Sequence, residues 1–591
     1  MRTRPELRGD FGMVSSTQWL ATASGMSVLE RGGNAFDAAV AAGFVLQVVE
    51  PHLCGPGGEV PILFYSAAER RVQVVCGQGS APAAATIERF RSLGLARIPG
   101  TGPLGACVPG AFGAWMRLLR EHGTWTVADV LEYAIGYASR GFPVAPRLAE
   151  TVAEMAPTFR THWPSSAEVY LAGGGTPAGG VARNTALADT YGRIAALAEA
   201  AGSDRERQID AALDAFYRGF VAEAIDGFFS QPIPTPDGRR DPGLLSGQDM
   251  ARWSATVEDP VTLDYRGRTV CKTGPWGQGP VLLQQLAILE GFDLAAMGHL
   301  SAEWIHTVVE TAKLAFADRE AWYGDPDFAD VPLAGLLAPG YAAERRALIG
   351  DRADMTLRPG RPDGRVPRLP AGWDEAGPTP APAAGSGEPA TAGRLGRGDT
   401  CHVDVVDRHG NMVAAMPSGA WLQSSPVVPG LGFPLGTRAQ MFWLDADHPN
   451  ALEPGKRPRT TLSPSLVLED GEPVLAFGSP GGDFQDQWGL LFLLAVVDHG
   501  LEPQAAIEAP AFNTGHLIGS FDPRPFEPGV VYIESRVPEA TRQELTRRGH
   551  HLVPGGPWSL GWLCAVGRDR RTGMLMGASN PRDGQGFATG R

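Results

Sequence analysis

The chain reads Arg397-Gly398-Asp399-Thr400-Cys401-His402-Val403-Asp404 where two kinds of sequence meet. Before this point, residues 352–399 hold 8 Pro and 9 Gly and show no hydrophobic period, which is typical of a flexible segment. After it, polar and apolar residues alternate through residues 402–407, which predicts a strand. We therefore expect a flexible segment that ends directly at the residue opening a strand.

Thr400 is the candidate catalytic residue at this junction. Cleavage of the Asp399–Thr400 bond would give Thr400 a free α-amine beside its hydroxyl. An α-amine has a pKa of about 7.7–8.0 and can accept the proton of that hydroxyl, which makes the oxygen a nucleophile. On these residues alone, the alternative is an ordinary linker between two domains, with Thr400 a plain strand residue.

Composition limits the function classes. The 591 residues carry a formal net charge of −14, which disfavours nucleic acid as a partner because phosphate recognition needs a basic surface. The chain is 43% hydrophobic and 20% charged, so we expect a folded, loop-rich enzyme despite its 76 Gly and 50 Pro. Length alone predicts about four domains.

Signals for membranes, disulfides, metals and cofactors are weak. The six Cys form no CxxC pair. The basic N-terminus lacks the apolar stretch of a signal peptide, and the longest apolar run, residues 38–49, is too short to cross a bilayer. We expect a cytoplasmic protein with no membrane partner. HExxH, GxSxG and P-loop patterns are absent, so no metal and no cofactor are predicted.

Motifs from about Gly12 to Pro581 resemble those of the γ-glutamyltranspeptidase (glutathione hydrolase) family of N-terminal nucleophile hydrolases. In chain order they include residues 30–41 (ERGGNAFDAAVA), 49–52 (VEPH), 55–58 (GPGG), 313–319 (KLAFADR), 399–402 (DTCH), 454–458 (PGKRP) and 478–482 (GSPGG). The number of these motifs and their order make a chance match improbable.

The resemblance implies a four-layer αββα sandwich made by two chains of one precursor. The precursor would cut itself between Asp399 and Thr400, giving a large chain, 1–399, and a small chain, 400–591, that form a single domain. Thr400 would be the nucleophile, and Ser418 the hydroxyl residue that holds its amine. Backbone N–H groups of Gly481 and Gly482 would bind the oxyanion, a role that suits glycine because no side chain blocks close approach.

The same resemblance predicts an altered substrate site. Gln78 stands where the family has the Arg that binds the glutamyl α-carboxylate, and a neutral Gln cannot form the charged bidentate pair. Thr460 and Thr461 stand at two hydroxyl residues that also bind this carboxylate. Ala420 and Met441 stand at the Asn and Asp that bind the α-amine.

Arg438 is a new cation near these positions. It is either a surface salt-bridge residue or a substrate-binding residue that faces a carboxylate or keto acid. Further residues predicted to line the pocket are Glu59, Trp421 and Gln423. Cys401 and His402 are expected to have packing and supporting roles.

Three functions remain open on the sequence. The first is an amide hydrolase or transpeptidase acting on a small molecule, either a glutathione-like γ-glutamyl compound or a related acyl amide. The second uses the same nucleophile on a carbon–carbon bond next to a keto group, as in alkylproline-type natural-product biosynthesis. The third is an inactive homologue that acts as a scaffold. The resemblance also leaves a heterotetramer open.

Overall fold

Two seven-stranded sheets form the centre of the structure, a computed structural model that describes residues 3–172, 176–374, 377–378, 400–582 and 586–591. In spatial order the first sheet contains β1 (Leu7–Gly9), β22 (Leu575–Ser579), β21 (Cys564–Arg568), β17 (Glu472–Gly478), β16 (Ser465–Glu469), β11 (Arg268–Lys272) and β10 (Val261–Tyr265). The second contains β23 (Phe587–Gly590), β2 (Gly12–Ser16), β14 (Val403–Asp407), β15 (Met412–Ala415), β3 (Val60–Ser66), β4 (Arg71–Gly77) and β9 (Thr256–Glu258).

The other main elements are helices, several of which cover the outer faces of the two sheets. They are α1 (Trp19–Glu30), α2 (Ala35–Val49), α3 (Ile87–Ser92), α4 (Ala111–His122), α5 (Val127–Arg140), α6 (Pro146–Thr161), α7 (Pro164–Tyr170), α8 (Thr185–Ala200), α9 (Arg205–Tyr217), α10 (Phe220–Phe229), α11 (Gly247–Arg252), α12 (Pro280–Leu289), α13 (Leu294–Met297), α14 (Ala302–Trp322), α15 (Leu333–Leu336), α16 (Pro339–Arg346), α17 (Gln485–Val497), α18 (Pro503–Glu508) and α19 (Glu539–Arg547). Smaller strands are β5 (Phe142–Pro143), β6 (Val181–Ala182), β7 (Ile233–Pro234), β8 (Arg240–Asp241), β12 (Trp373–Asp374), β13 (Gly377–Pro378), β18 (Phe512–Thr514), β19 (Val530–Glu534) and β20 (His551–Gly555).

Alternating side chains divide each sheet between two cores. Met13 of β2 packs between the sheets with Ala476 of β17. The next residue, Val14, packs on the other face of the sheet, in the core that contains α1 and α2. On the other sheet, Phe477 packs with Trp488 of α17 on the outer side. Successive strand residues face opposite sides, so both sheets are buried on both faces. This arrangement confirms the predicted four-layer αββα sandwich, and its shared cores replace the four domains expected from length.

Local signals fix the helix that leads to the site. The side chain of Asn34 accepts hydrogen bonds from the backbone N–H of Phe36 at 2.9 Å and of Asp37 at 3.0 Å, and the Asp37 carboxylate accepts from the Asn34 N–H at 3.0 Å. This capping box begins α2 directly after Gly32-Gly33. The helix ends at Val49, and its C-cap residue Glu50 begins the loop leading to Gly55–Gly58.

Both sheets contain strands from both sides of residue 399. In the second sheet β14 lies between β2 and β15, so a strand that follows Thr400 pairs with one from the start of the chain. In the first sheet β16 pairs with β11. The predicted large and small chains thus share both sheets. The boundary itself stays a prediction, because Asp399 lies outside the described residues.

The first half of the Pro/Gly-rich segment packs against α14. Leu357 is 1% exposed. The Arg358 guanidinium donates to Glu310 at 3.1 Å, and the Gly360 N–H donates to Asp318 at 2.6 Å. Residues 357–360 are therefore packed, whereas most of residues 361–374 are exposed, and the rest of the predicted flexible segment falls mostly outside the described residues. Across the described part of the chain, no helix combines the length and apolar character needed to cross a membrane.

Candidate active site

Thr400 lies shortly before β14, separated from it by Cys401 and His402, and its side chain is buried. It forms an antiparallel bridge with Ser418, and the neighbouring Cys401 N–H donates to the Pro417 carbonyl at 2.9 Å. The Oγ1 atom of Thr400 lies 3.2 Å from the Oγ atom of Ser418. Backbone pairing thus sets the two hydroxyls side by side, and their roles as the nucleophile and the residue that holds its amine stay predictions.

Arg438 extends this hydroxyl pair into a longer hydrogen-bonded chain. Its Nη2 donates to Ser418 Oγ at 2.9 Å, and its Nε donates to Glu59 Oε1 at 2.6 Å. The guanidinium also lies 5.1 Å from the ring centroid of Trp421 and 5.7 Å from that of Phe521. Arg438 is 2% exposed, so the alternative of a surface salt bridge is wrong. Whether it binds substrate remains a prediction.

Glycine allows the Glu59 loop to approach Ser418. The backbone of Glu59 exchanges two hydrogen bonds with Ser418, at 2.9 and 3.0 Å. A Cβ on the preceding Gly58 would lie 2.1 Å from the Ser418 carbonyl oxygen, so a side chain there would force the strands apart. The GPGG motif of residues 55–58 therefore brings the Glu59 carboxylate to the Arg438 guanidinium.

The predicted oxyanion glycines lie in the loop between β17 and α17. Gly481 has φ +132° and Gly482 has φ +53°, conformations that favour glycine. Pro480, which precedes them, lines a cavity of about 30 Å³ together with Thr400. The following carboxylate, Asp483, is fixed by Arg319 and accepts from Ser520 Oγ at 2.6 Å. The structure therefore brings this loop to the nucleophile candidate, and its role in binding an oxyanion stays a prediction.

Gly481→Ala is expected to lower kcat by about 10²–10³-fold, the usual cost of one lost oxyanion donor. The added Cβ would lie 2.2 Å from the Trp488 ring, so the loop must shift. The matched control is Gly471→Ala, which has a similar positive φ of +78° but no atom within 4 Å of its Cβ. Kinetics on purified, cleaved variants would test this, and an unchanged kcat in Gly481→Ala would contradict it.

The other predicted substrate residues lie in loops at the ends of β4 and before β16. Gln78 is 1% exposed, and its Nε2 donates to the Gly79 carbonyl at 3.3 Å. Thr460 is held by backbone hydrogen bonds, and its Oγ1 accepts from the Leu462 N–H at 3.3 Å. Among the described residues, Gln78 Oε1 and Thr461 Oγ1 are buried without hydrogen-bond partners. Their contacts with substrate stay predictions.

The two replaced amine-binding positions are buried and neutral. Ala420 is 1% exposed with φ +51°, and Met441 is 1% exposed. The Met441 sulfur lies 3.9 Å from Arg438 Nη1. The predicted pocket residue Gln423 instead donates to the His52 carbonyl at 3.1 Å. Met441 therefore offers no carboxylate at the position where the resemblance places the family's Asp.

Sequence reasoning did not single out Glu50 as a functional residue. Its carboxylate accepts hydrogen bonds from the Cys401 thiol at 3.1 Å and from the Thr17 hydroxyl at 3.0 Å. Burial raises the pKa of the Glu50 carboxyl to about 7. The sequence signal that could have pointed to Glu50 was its place in the VEPH motif, residues 49–52. His402, on the other side of Cys401, contacts Asp404 at 2.7 Å, and burial raises the pKa of Asp404 to about 6.

One group of described residues has the side-chain types of a metal site. His306, Glu310 and His550 place their ligand atoms within 4.8 Å of one another. The two imidazoles share a hydrogen bond of 2.8 Å, and the Glu310 carboxylate pairs with Lys313 at 2.5 Å and Arg358 at 3.1 Å. Two cations on the carboxylate explain the cluster as an ion-pair network and oppose a further positive charge.

Comparison with known proteins identifies relatives of this chain. The Gamma-glutamyltranspeptidase family model matches residues 21–590. The chain is 32% identical over 584 residues to the glutathione hydrolase-like YwrD proenzyme of Bacillus subtilis, covering 98% of each chain. It is 55% identical to the solved structure of LmbA2991HD, with a TM-score of 0.94 and 100% of each chain covered. It is 30% identical to cephalosporin acylase from Bacillus halodurans, with a TM-score of 0.83 and coverage of 100% and 97%.

These findings confirm the enzyme class predicted from the motifs. Relatives named as a proenzyme and as an acylase support a self-processing N-terminal nucleophile hydrolase whose two subunits come from one precursor. Together with the four-layer fold and the buried hydroxyl pair at Thr400, the family match over nearly the whole length establishes that the chain belongs to the gamma-glutamyltranspeptidase family.

Proposed function

We propose that the chain cleaves its own Asp399–Thr400 bond and that Thr400 then hydrolyses an amide through an acyl-enzyme. The observation that carries this proposal is the 3.2 Å distance between Thr400 Oγ1 and Ser418 Oγ. After cleavage, the new α-amine of Thr400 has an ordinary pKa near neutrality and accepts the hydroxyl proton. Gly481 and Gly482 supply backbone N–H groups to the oxyanion.

The proposed acyl group lacks the charged α-amino acid end of a γ-glutamyl group. Gln78, Ala420 and Met441 are neutral, and the charge of Arg438 is already matched by Glu59. A substrate ammonium without a charged partner loses a hydrogen bond of about 1.5–3 kcal/mol. The acylase among the relatives supports an acyl group of another kind. The buried hydroxyl of Thr461 and the amide oxygen of Gln78 offer polar contacts to it.

Matched anilides test this proposal. γ-Glutamyl-p-nitroanilide and glutaryl-p-nitroanilide share a five-carbon acyl chain and a carboxylate, and only the first has an α-ammonium. We expect the glutaryl compound to react with an equal or higher kcat/KM, and mass spectrometry to find its acyl group on the chain that begins at Thr400. A kcat/KM at least tenfold higher for the γ-glutamyl compound would contradict the proposed acyl group.

A carbon–carbon bond hydrolase is the second candidate. The neutral residues Gln78, Ala420 and Met441 favour it over γ-glutamyl transfer, because a keto acid has no α-ammonium that needs a partner. Trapping the adduct on Thr400 from a cell extract identifies the acyl group by mass, and mass analysis of the released product distinguishes the two reactions, since amide cleavage releases an amine and carbon–carbon cleavage does not. A chain that stays uncut and forms no adduct would favour the scaffold alternative.

A further inference from the structure

The cavity at Thr400 has a buried acidic residue, Glu50, on its lining. The cavity measures about 30 Å³, and its lining includes Thr17, Arg147 and Pro480. A volume of this size has room for a water molecule, and its polar lining offers the partners that such a water needs. Glu50 and Thr400 therefore line one cavity that has room for a water.

The Glu50 carboxyl is fixed by residues on the strands around the nucleophile. Cys401, the residue after Thr400, donates its thiol at 3.1 Å, and Thr17 donates its hydroxyl at 3.0 Å. Thr17 is in turn held by its backbone N–H, which donates to the His402 carbonyl at 3.1 Å. The carboxyl is 3% exposed. Its position is thus tied to the two residues that follow Thr400.

Self-cleavage needs a proton acceptor that the mature enzyme does not. In the uncut chain the nitrogen of Thr400 belongs to a peptide bond and cannot act as a base, so its later role as α-amine is not available. Another group near the hydroxyl must accept the proton. Among the described residues on the lining of the Thr400 cavity, Glu50 is the carboxyl that can do so.

We propose that Glu50, acting through a water in this cavity, is the proton acceptor for self-cleavage, an inference that rests on the proposed function. Thr400 Oγ1 bonds to the Asp399 carbonyl carbon, and its proton passes through the water to Glu50. The C–N bond then breaks, and Glu50 returns the proton to the departing nitrogen. A second water hydrolyses the resulting ester, giving the Asp399 carboxyl group and the Thr400 hydroxyl.

Glu50 is suited to this task near neutral pH. Burial raises the pKa of its carboxyl to about 7, while the donors Cys401 and Thr17 and the nearby Arg147 limit the rise. The other ionisable groups near Glu50 do not compete with it as proton acceptors. Burial raises the pKa of the thiols of Cys54, Cys401 and Cys564 and lowers the pKa of the His52 imidazole. The Arg582 guanidinium pairs with Glu534. A base is effective when its pKa lies near the working pH.

The test follows cleavage of freshly translated full-length chain between pH 5.5 and 8.5 on denaturing gels. The wild-type rate is expected to rise with pH around a midpoint near 7, because the carboxylate form accepts the proton. Glu50→Gln is expected to cleave about 100-fold more slowly at pH 8 and to lose this rise. Thr17→Val keeps the carboxyl but removes a donor to it, so its midpoint is expected to move to higher pH.

The control is Asp404→Asn, which removes another buried carboxyl, hydrogen-bonded to His402, and should keep the wild-type profile. The inference is overturned if Glu50→Gln cleaves at the wild-type rate and with the wild-type pH dependence. It is also overturned if Asp404→Asn cleaves slowly while Glu50→Gln does not. If thermal melting shows that Glu50→Gln does not fold, an unmoved midpoint in Thr17→Val overturns it. N-terminal sequencing of the wild-type small chain separates this from the proposed function, which fails if that chain does not begin at Thr400.

Discussion

Thr400→Ala is expected to leave the chain uncut and without hydrolase activity. The substitution removes the oxygen that attacks both the Asp399 carbonyl and the substrate, while the bridge between residue 400 and Ser418 uses backbone atoms and is kept. Loss of a nucleophile that acts in both steps lowers kcat by a factor on the order of 10⁶. A denaturing gel should show one band of the full mass, 62.6 kDa, and no acyl group should attach on incubation with substrate.

Thr400→Ser is the matched control for this experiment. It retains the hydroxyl and is expected to cleave and to turn over substrate, at a reduced rate because the Thr methyl no longer limits the side-chain rotamer. Two bands in Thr400→Ala, with a small chain beginning at residue 400, would mean that another group cuts the bond. The proposed nucleophile would then be wrong.

Arg438→Met is expected to destabilise the uncut chain by about 3–5 kcal/mol, because it leaves the Glu59 carboxylate buried without its cation. It also removes the 2.9 Å hydrogen bond to Ser418, so processing and turnover should slow. Urea unfolding measures the free energy best in the Thr400→Ala background, where the molecule stays one chain.

The double variant Arg438→Met with Glu59→Gln provides the control for that loss. It replaces the buried ion pair with neutral side chains of similar size, a change that often recovers much of the stability lost when one partner is removed. A cost below about 1 kcal/mol in the single variant would mean that Glu59 finds another partner or takes up a proton.

The fold and the hydroxyl pair were predictable, and the charges around them were not. The motifs led to the four layers and to Thr400 and Ser418, which are 18 residues apart and meet through backbone pairing. Arg438 and Glu59 are 379 residues apart, and sequence patterns at either position do not reveal a buried partner at that separation. The expectations for Arg438 were therefore a surface salt bridge or a substrate contact, and a buried ion pair was not among them.

Composition also failed for the Pro/Gly-rich segment. Its residue types predict flexibility over residues 352–399, yet Leu357 is buried and Arg358 pairs with Glu310 of α14. Local composition describes how freely a chain bends, whereas packing depends on partners that lie elsewhere in the sequence. The same limit applied to Glu50, whose two donors come from residues 17 and 401.

Because both sheets combine strands from before and after residue 399, folding has to precede self-cleavage. The uncut chain brings β2 and β14 together as parts of one molecule. Once the bond before Thr400 is cut, an unfolded enzyme would be two separate molecules, whose strands must meet by diffusion before either sheet can form. The covalent connection is therefore needed only during the first folding, when it holds the two parts of the chain together. The mature enzyme depends on never losing the structure that its precursor built, so its lifetime is set by how slowly it unfolds.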